Sequence, residues 1–315
     1  MKKIIVTVGP SLGNKVSIRE VHSENIIYRI NGALGDTHTI EENILKIKNQ
    51  INDAKILLDL PGNKIRVTNL EYGFIEVESG KEFDVYFHQF NFKEFYKYIK
   101  VGDIILANDS IFKFEVVCID KKNKKIKFKS YSSGRLLNNK GFHIKGINNR
   151  LPFLFERDFQ LIELVNRYKL DFVGLSFVRD EKDIKLAKNL INNSQIIAKV
   201  ETKKAVENLN NILNEVDYIL IDRGDLSTEV GLFKIPVIQE QIIKKTLFFN
   251  KKIFLATQIL KSMESTPIPT FPEIIDLYNA INKGIYGVQL SEETAIGDYP
   301  KKCLNVIKKI LGEVK

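Results

Sequence analysis

Cysteine is scarce in this chain. Its 315 residues include two, Cys118 and Cys303, far apart and outside any C-x-x-C or Cys/His spacing. That excludes a disulfide framework and a structural zinc site, and it points to a reducing, cytoplasmic setting. Histidine is nearly as sparse: His22, His38, His88 and His143 are scattered without metal-ligand spacing, so a catalytic histidine is not indicated. No apolar run reaches the roughly 18 residues of a membrane span, and no membrane partner is expected. The N-terminus, MKKIIVTVGPSLGNK, superficially resembles a signal peptide, but Gly9 and Pro10 interrupt its apolar run too soon. A buried first strand is the better reading. Nor does any G-x-G-x-x-G follow a strand-like run, which argues against an open doubly wound sheet.

What the chain does contain is the composition of a soluble globular protein, 44% hydrophobic and 28% charged. Its net charge of +9 comes from 48 Lys+Arg against 39 Asp+Glu. The excess is dispersed. Residues 67–148 carry 14 Lys+Arg against 10 Asp+Glu, and the densest cluster, Lys121 to Lys125, lies between two strand-like runs as a solvated hairpin tip. Without aromatic interleaving or an RNA-binding signature, a nucleic-acid partner is not expected, and small anionic substrates fit the charge better.

Short apolar runs alternate with stretches of helical period. Strand-like runs fall at residues 3–8, 25–31, 55–60, 171–177, 195–201, 218–222, 252–257 and 286–290. The run KILLDL at 55–60 is apolar but for Lys55 at its start and one acid, Asp59, as in a parallel sheet buried on both faces. Helices are expected at 37–52, 156–168, 181–192 and 203–216, the last with apolar residues at 205, 206, 209, 212, 213 and 216. Between about 67 and 148 the pattern changes to short β-branched and aromatic runs separated by turns, which reads as a small all-β module inserted after the third strand. The division expected is therefore 1–66, first part of a (β/α)8 TIM barrel; 67–148, the insertion; and 149–315, the rest of the barrel. About 235 residues outside the insertion approach the roughly 250 typical of this α/β fold.

A TIM barrel builds its active site at the C-terminal ends of its strands. Those ends carry Arg29 and Asn31, Asp59, Ser176, Lys199 and Glu201, Asp225, Thr257, and Ser291 with Glu292 and Glu293. A charge in or just after an apolar strand is costly unless paired or metal-bound. Lys199 and Glu201, two apart, share one face of their strand. By itself that pair can also be a structural ion pair. With Asp225 from the next strand's Arg223-Gly224-Asp225 turn, however, two carboxylates at neighbouring strand ends suit Mg²⁺ or Mn²⁺. Residues 223–228 read as a loop entering a helix whose amides would attract a carboxylate or phosphate.

Taken in order, the segments IIAKVE (196–201), RGDLSTEVG (223–231), ATQILKSM (256–263) and LSEETAIGDYP (290–300) resemble those of the pyruvate kinase family. TVGPS (7–11), RINGALGD (29–36), LLDLPGNKIR (57–66) and NKGFHIKG (139–146) support the likeness, which runs from Lys3 to about Lys309. The resemblance implies transfer of a phosphoryl group from phosphoenolpyruvate to ADP, through a metal-stabilised enolate that is protonated to pyruvate. It makes Glu201 and Asp225 the metal ligands. Lys199 would stabilise charge on the phosphoryl group and enolate oxygen. Arg29 and Arg66 would grip phosphate oxygens, Thr257 would join the protonation relay, and Arg223, Gly224 and Asn31 would belong to the substrate site. The insertion would be the family's lid, with Lys140 and Asp109 near the nucleotide. A C-terminal regulatory domain is not expected after the eighth helix, so sugar-phosphate activation is not expected either, and a homodimer or a monomer stays open.

Departures from the family pattern are concentrated near the expected substrates. K⁺-requiring members resemble R-x-N-x-S and D-T-K-G-P-E; here those positions read Arg29, Asn31, Ala33 and Asp59, Leu60, Pro61, Gly62, Asn63, Lys64. Two oxygen ligands are gone and a lysine replaces the acid, which implies activity without K⁺. The family's alanine before R-G-D is Asp222, L-S-G-E-T-A-K-G carries Glu292 and Ile296, P-T-R-A-E becomes Pro269-Thr-Phe-Pro-Glu273, and the histidine of N-F-S-H-G is Leu34. Either Asp222 points away and pairs, or the substrate is not plain pyruvate. A modified 2-oxo acid or enol phosphate is therefore the second reading, with a magnesium-dependent lyase and an inactive paralogue as further alternatives.

Overall fold

The computed structural model describes residues 2–108, 111–144 and 146–313. Eight strands close into a parallel barrel: β1 (Lys3–Thr7), β2 (Ile26–Asn31), β3 (Lys55–Leu60), β4 (Phe172–Leu175), β5 (Gln195–Val200), β6 (Tyr218–Asp222), β7 (Lys252–Ala256) and β8 (Gly287–Leu290). Each pairs with its sequence neighbours, and β8 pairs with β1. Strands buried on both faces explain the continuous apolar runs. This is the expected (β/α)8 architecture.

The connecting helices depart from expectation in places. Glu156–Tyr168 keeps the expected bounds, Thr37–Gln50 stops two residues early and Glu181–Lys188 four. The helix expected over 203–216 is instead two, Lys203–Glu207 and Leu209–Glu215. Asn208 interrupts it, its side chain donating to Arg179 O at 3.1 Å. Arg223 begins the helix Arg223–Val230 directly after β6, so the loop expected at 223–228 does not exist. Asp222 caps it, accepting from Gly224 N, an interaction that satisfies one of the otherwise unpaired first-turn amides.

Two compact units make up the chain: one runs to Gly62 and resumes at Glu156, the other is Asn63–Phe155. The second unit is wider than the 67–148 read from the sequence. Its six-stranded antiparallel sheet is ordered Ile65–Arg66, Gly141–His143, Ile104–Ala107, Phe112–Asp120, Lys125–Ser130, Glu82–Tyr86, beside a separate pair, Phe74–Val77 and Gly134–Leu137. Phe95, Phe114, Phe128 and Phe142 are fully buried at its centre, the last two rings edge to face at 5.7 Å. The lysine-rich turn at 121–124 is a hairpin tip, with Asp120 accepting from Asn123 N at 2.9 Å.

Candidate active site

The barrel interior is layered. Ile5, Ile27, Leu57, Ile197, Tyr218, Leu220, Phe254 and Ala256 pack into one apolar cluster, with Phe172 and Tyr286 against it. Side chains two apart on a strand share a face, so the next position above Ile5 is Thr7, above Ile27 Arg29, above Leu57 Asp59, above Ile197 Lys199 and above Leu220 Asp222. An apolar floor thus carries a polar layer at the strands' C-terminal ends, where barrel active sites lie.

Buried charges survive only when paired, and here they are. Arg29 donates through Nε to Asp59 Oδ2 at 2.6 Å and through Nη1 to Thr7 Oγ1 at 2.8 Å. Thr7 in turn donates to Leu290 O at 2.8 Å. Lys199 Nζ lies 2.7 Å from Glu201 Oε1, 3.6 Å from Asp59 Oδ2 and 3.9 Å from Asp222 Oδ2, and donates to Ser176 Oγ at 3.1 Å. Burial alone would lower the Lys199 pKa, but Asp59, Glu201 and Asp222 outweigh it and hold the ammonium above its ordinary value. Burial pushes Asp59 upward, yet Lys199 and Arg29 prevail and keep it below the usual carboxylate range. Glu201 goes the other way. Burial raises it, Asp222 and Asp225 add to the rise, and Lys199 opposes without cancelling them.

Gly174 makes this arrangement fit. It pairs in register with Asp59, and a Cβ there would lie 1.7 Å from Asp59 Oδ1. The carboxylate occupies the space that any other residue's side chain would need.

Asp222 both pairs and faces the site. Its Oδ1 accepts from Gly224 N at 3.1 Å and Thr257 Oγ1 at 2.5 Å. Of the expectation that Asp222 points away and pairs, the pairing is seen, but strand alternation puts the side chain on the face of Leu220, toward the site. Glu201, Asp222 and Asp225 offer carboxylate oxygens within 4.8 Å of one another. Glu201 Oε2 accepts from Phe177 N at 2.8 Å; Oε1, though near Lys199, is buried and accepts no aligned hydrogen bond. An all-oxygen donor set of three converging carboxylates fits a hard divalent cation.

Thr257 follows β7 at φ +72° and Gln258 at φ +55°, a region costly for a β-branched residue. Arg223 braces both: Nε and Nη2 donate to Thr257 O at 3.0 and 2.7 Å, Nη2 also to Gln258 O at 3.0 Å, and Nη1 to Asp276 Oδ2 at 2.6 Å.

The remaining expected residues differ in their exposure and partners. Asn31 Oδ1 is engaged by Ala33 N at 3.1 Å. Leu34 and Ile296 are each 58% exposed. Glu292 is exposed and grouped with Glu264 and Glu293. Lys64, Arg66 and Lys140 belong to the second unit, where Arg66 Nη1 donates to Asn139 O at 2.9 Å and Lys140 O accepts from Val67 N at 3.1 Å. Asp109 lies outside the described residues. Sequence reading missed Thr7 and Gly174. Alternation from Ile5 could have found Thr7; Gly174 required the β3–β4 register.

Fold and polar layer together define a (β/α)8-barrel enzyme with a carboxylate-rich C-terminal rim. A family model described as pyruvate kinase, barrel domain, matches residues 1–304. The pyruvate kinase of Thermotoga maritima is 33% identical over 331 residues, covering 99% of this chain and 71% of that protein. That of Thermococcus litoralis is 33% identical, covering 98% and 68%, and that of Bacillus licheniformis 32%, covering 98% and 56%. The chain belongs to the pyruvate kinase family and is a phosphotransferase of that type. Among the described residues no helix is long and apolar enough to cross a membrane.

Proposed function

We propose that the chain transfers the phosphoryl group of phosphoenolpyruvate to ADP, giving pyruvate and ATP. The observation that carries this reading is Lys199, a buried ammonium held protonated among Asp59, Glu201 and Asp222. As the substrate's P–O bond breaks and the phosphoryl group passes to an ADP oxygen, the departing enol oxygen gains charge. A fixed ammonium stabilises that charge without reorganising. Arg29, clamped by Asp59 and Thr7, would bind an anion. Thr257, through its hydroxyl bond to Asp222, orients the face on which the enolate carbon takes its proton. Glu201 and Asp225 would hold Mg²⁺ or Mn²⁺, which when bound supplies positive charge against the substrate's oxygens. For the second unit we propose the family's nucleotide-covering role, with Arg66 and Lys140 as its phosphate and nucleotide contacts.

K⁺ is proposed to be dispensable. Leu60 is buried and apolar where a ligand oxygen is needed, and Ala33 offers a methyl. A coupled assay for pyruvate from phosphoenolpyruvate, ADP and Mg²⁺, with and without K⁺, tests both points. Turnover that is independent of K⁺ and lost in a folded Lys199→Met protein is expected. Absence of pyruvate would overturn the substrate assignment and favour a modified 2-oxo acid, whose motive is Asp222. Strong K⁺ activation would overturn the cation reading alone.

A further inference from the structure

We propose that Asp222 is a third carboxylate arm of the divalent-cation site, strengthening cation binding before substrate arrives and weakening the hold on an anionic substrate. This rests on the reading that Glu201 and Asp225 hold the cation, and it concerns the position where the family pattern carries an uncharged alanine.

Geometry comes first. Asp222 ends β6 in register with Ala256, its side chain on the face of Leu220. Gly224 N and Thr257 Oγ1 both bind Oδ1 and so fix the rotamer. The other oxygen, Oδ2, lies 3.9 Å from Lys199 Nζ, the same ammonium that Glu201 Oε1 approaches at 2.7 Å. A carboxylate oxygen from each of Glu201, Asp222 and Asp225 falls within 4.8 Å of the others. Independently of that clustering, Glu201 is fully buried, and its Oε1 accepts no aligned hydrogen bond. Three acids converge where one buried carboxylate oxygen has only the Lys199 ammonium, out of hydrogen-bond alignment, for a partner.

Charge makes the consequence specific. In this layer Arg29 and Lys199 face Asp59, Glu201, Asp222 and Asp225, two cations against four carboxylates. One divalent cation then leaves the layer neutral, whereas without Asp222 it would leave a net positive charge to attract a substrate anion. Even with water-like screening, a carboxylate about 5 Å from a divalent ion is worth ~10-fold or more in affinity.

The bland alternative is that Asp222 only caps the helix Arg223–Val230. Asn caps about as well as Asp and keeps an oxygen for Gly224 N and Thr257 Oγ1, so Asp222→Asn removes the charge and leaves the cap. The experiment is titration of the full chain with Mn²⁺ alone, followed by electron paramagnetic resonance, for wild type and Asp222→Asn. Urea unfolding confirms that the variant is folded, and KM for phosphoenolpyruvate is measured alongside. Weakening of Mn²⁺ binding by ~10-fold or more, together with a lower KM, is expected. Mn²⁺ affinity within twofold of wild type in the folded variant would overturn the third-ligand assignment. Weaker Mn²⁺ binding with an unchanged or higher KM would overturn the trade against substrate. If the wild type turns over no phosphoenolpyruvate, the Mn²⁺ comparison still decides the ligand, and the failure belongs to the phosphotransfer reading alone.

Discussion

Replacing Gly174 with alanine is the smallest change that should dismantle the charged layer. The new Cβ would stand 1.7 Å from Asp59 Oδ1 and 2.9 Å from its Cγ. Ordinary contact begins near 3.4 Å, so the carboxylate must retreat by about as much again or β4 must move off β3. If the carboxylate retreats, the 2.6 Å bond from Arg29 Nε breaks and Lys199 loses its contact at 3.6 Å. Breaking a buried ion pair typically costs ~3–5 kcal/mol. If the strand yields instead, overpacking costs ~1–3 kcal/mol. By either route Gly174→Ala should lose roughly 1 kcal/mol or more in urea unfolding, and turnover should fall with it. Gly312→Ala is the control: it lies in the helix Pro300–Glu313 with nothing within 4 Å of its added Cβ, so it should be neutral or stabilise by up to ~1 kcal/mol. A Gly174→Ala protein as stable and active as the Gly312→Ala control would refute the claim that Asp59 fills the space beside Gly174.

Two further substitutions probe what surrounds the layer. Arg223→Lys keeps a positive charge but cannot span Thr257 O, Gln258 O and Asp276 together. Released from its brace, Thr257 should misalign and kcat fall by up to ~100-fold, with KM less affected; an unchanged kcat would dismiss the brace. In the second unit Phe128→Ala empties a site ringed by Phe83, Phe114 and Phe142. It should cost ~3–5 kcal/mol, with lost hydrogen-exchange protection confined to residues 63–155. Equal loss at β5 and β6 would show that the two units do not unfold separately.

All eight barrel strands were legible because strands buried on both faces write continuous apolar runs, and KILLDL and IIAKV need no context to be read. The helix Arg223–Val230 was not, since Leu226 is its only buried residue and an element without an apolar stripe leaves no period. The break at Asn208 was hidden for the opposite reason: Ala205, Leu209, Ile212 and Leu213 bury on schedule across it, so the pattern persists where the backbone does not. In the site, Lys199 and Glu201 could be placed by alternation along one strand. What Asp222 does depends on its neighbours. Val200 pairs with Ile221, which brings Glu201 level with Asp222, and a single sequence does not state the offset between strands. The same holds for Gly174 and Asp59.

That layer is a cost the barrel carries, and the sign of the cost separates a functional layer from a stabilising one. Desolvating Arg29 and Asp59 is expensive, and their mutual attraction does little more than offset it. Removing one partner should therefore be far worse than removing both. Asp59→Leu leaves Arg29 buried without its carboxylate and takes a counter-ion from Lys199, which should cost ~3–5 kcal/mol. Adding Arg29→Met removes the stranded guanidinium and should restore roughly 2 kcal/mol of that loss, although Lys199 still lacks one anion. Neither protein should turn over substrate. Urea unfolding of wild type, both single variants and the double gives the coupling directly. A double variant as unstable as the sum of its singles would mean that the two residues act independently, and the 2.6 Å contact between them would then not be the bond that organises the layer.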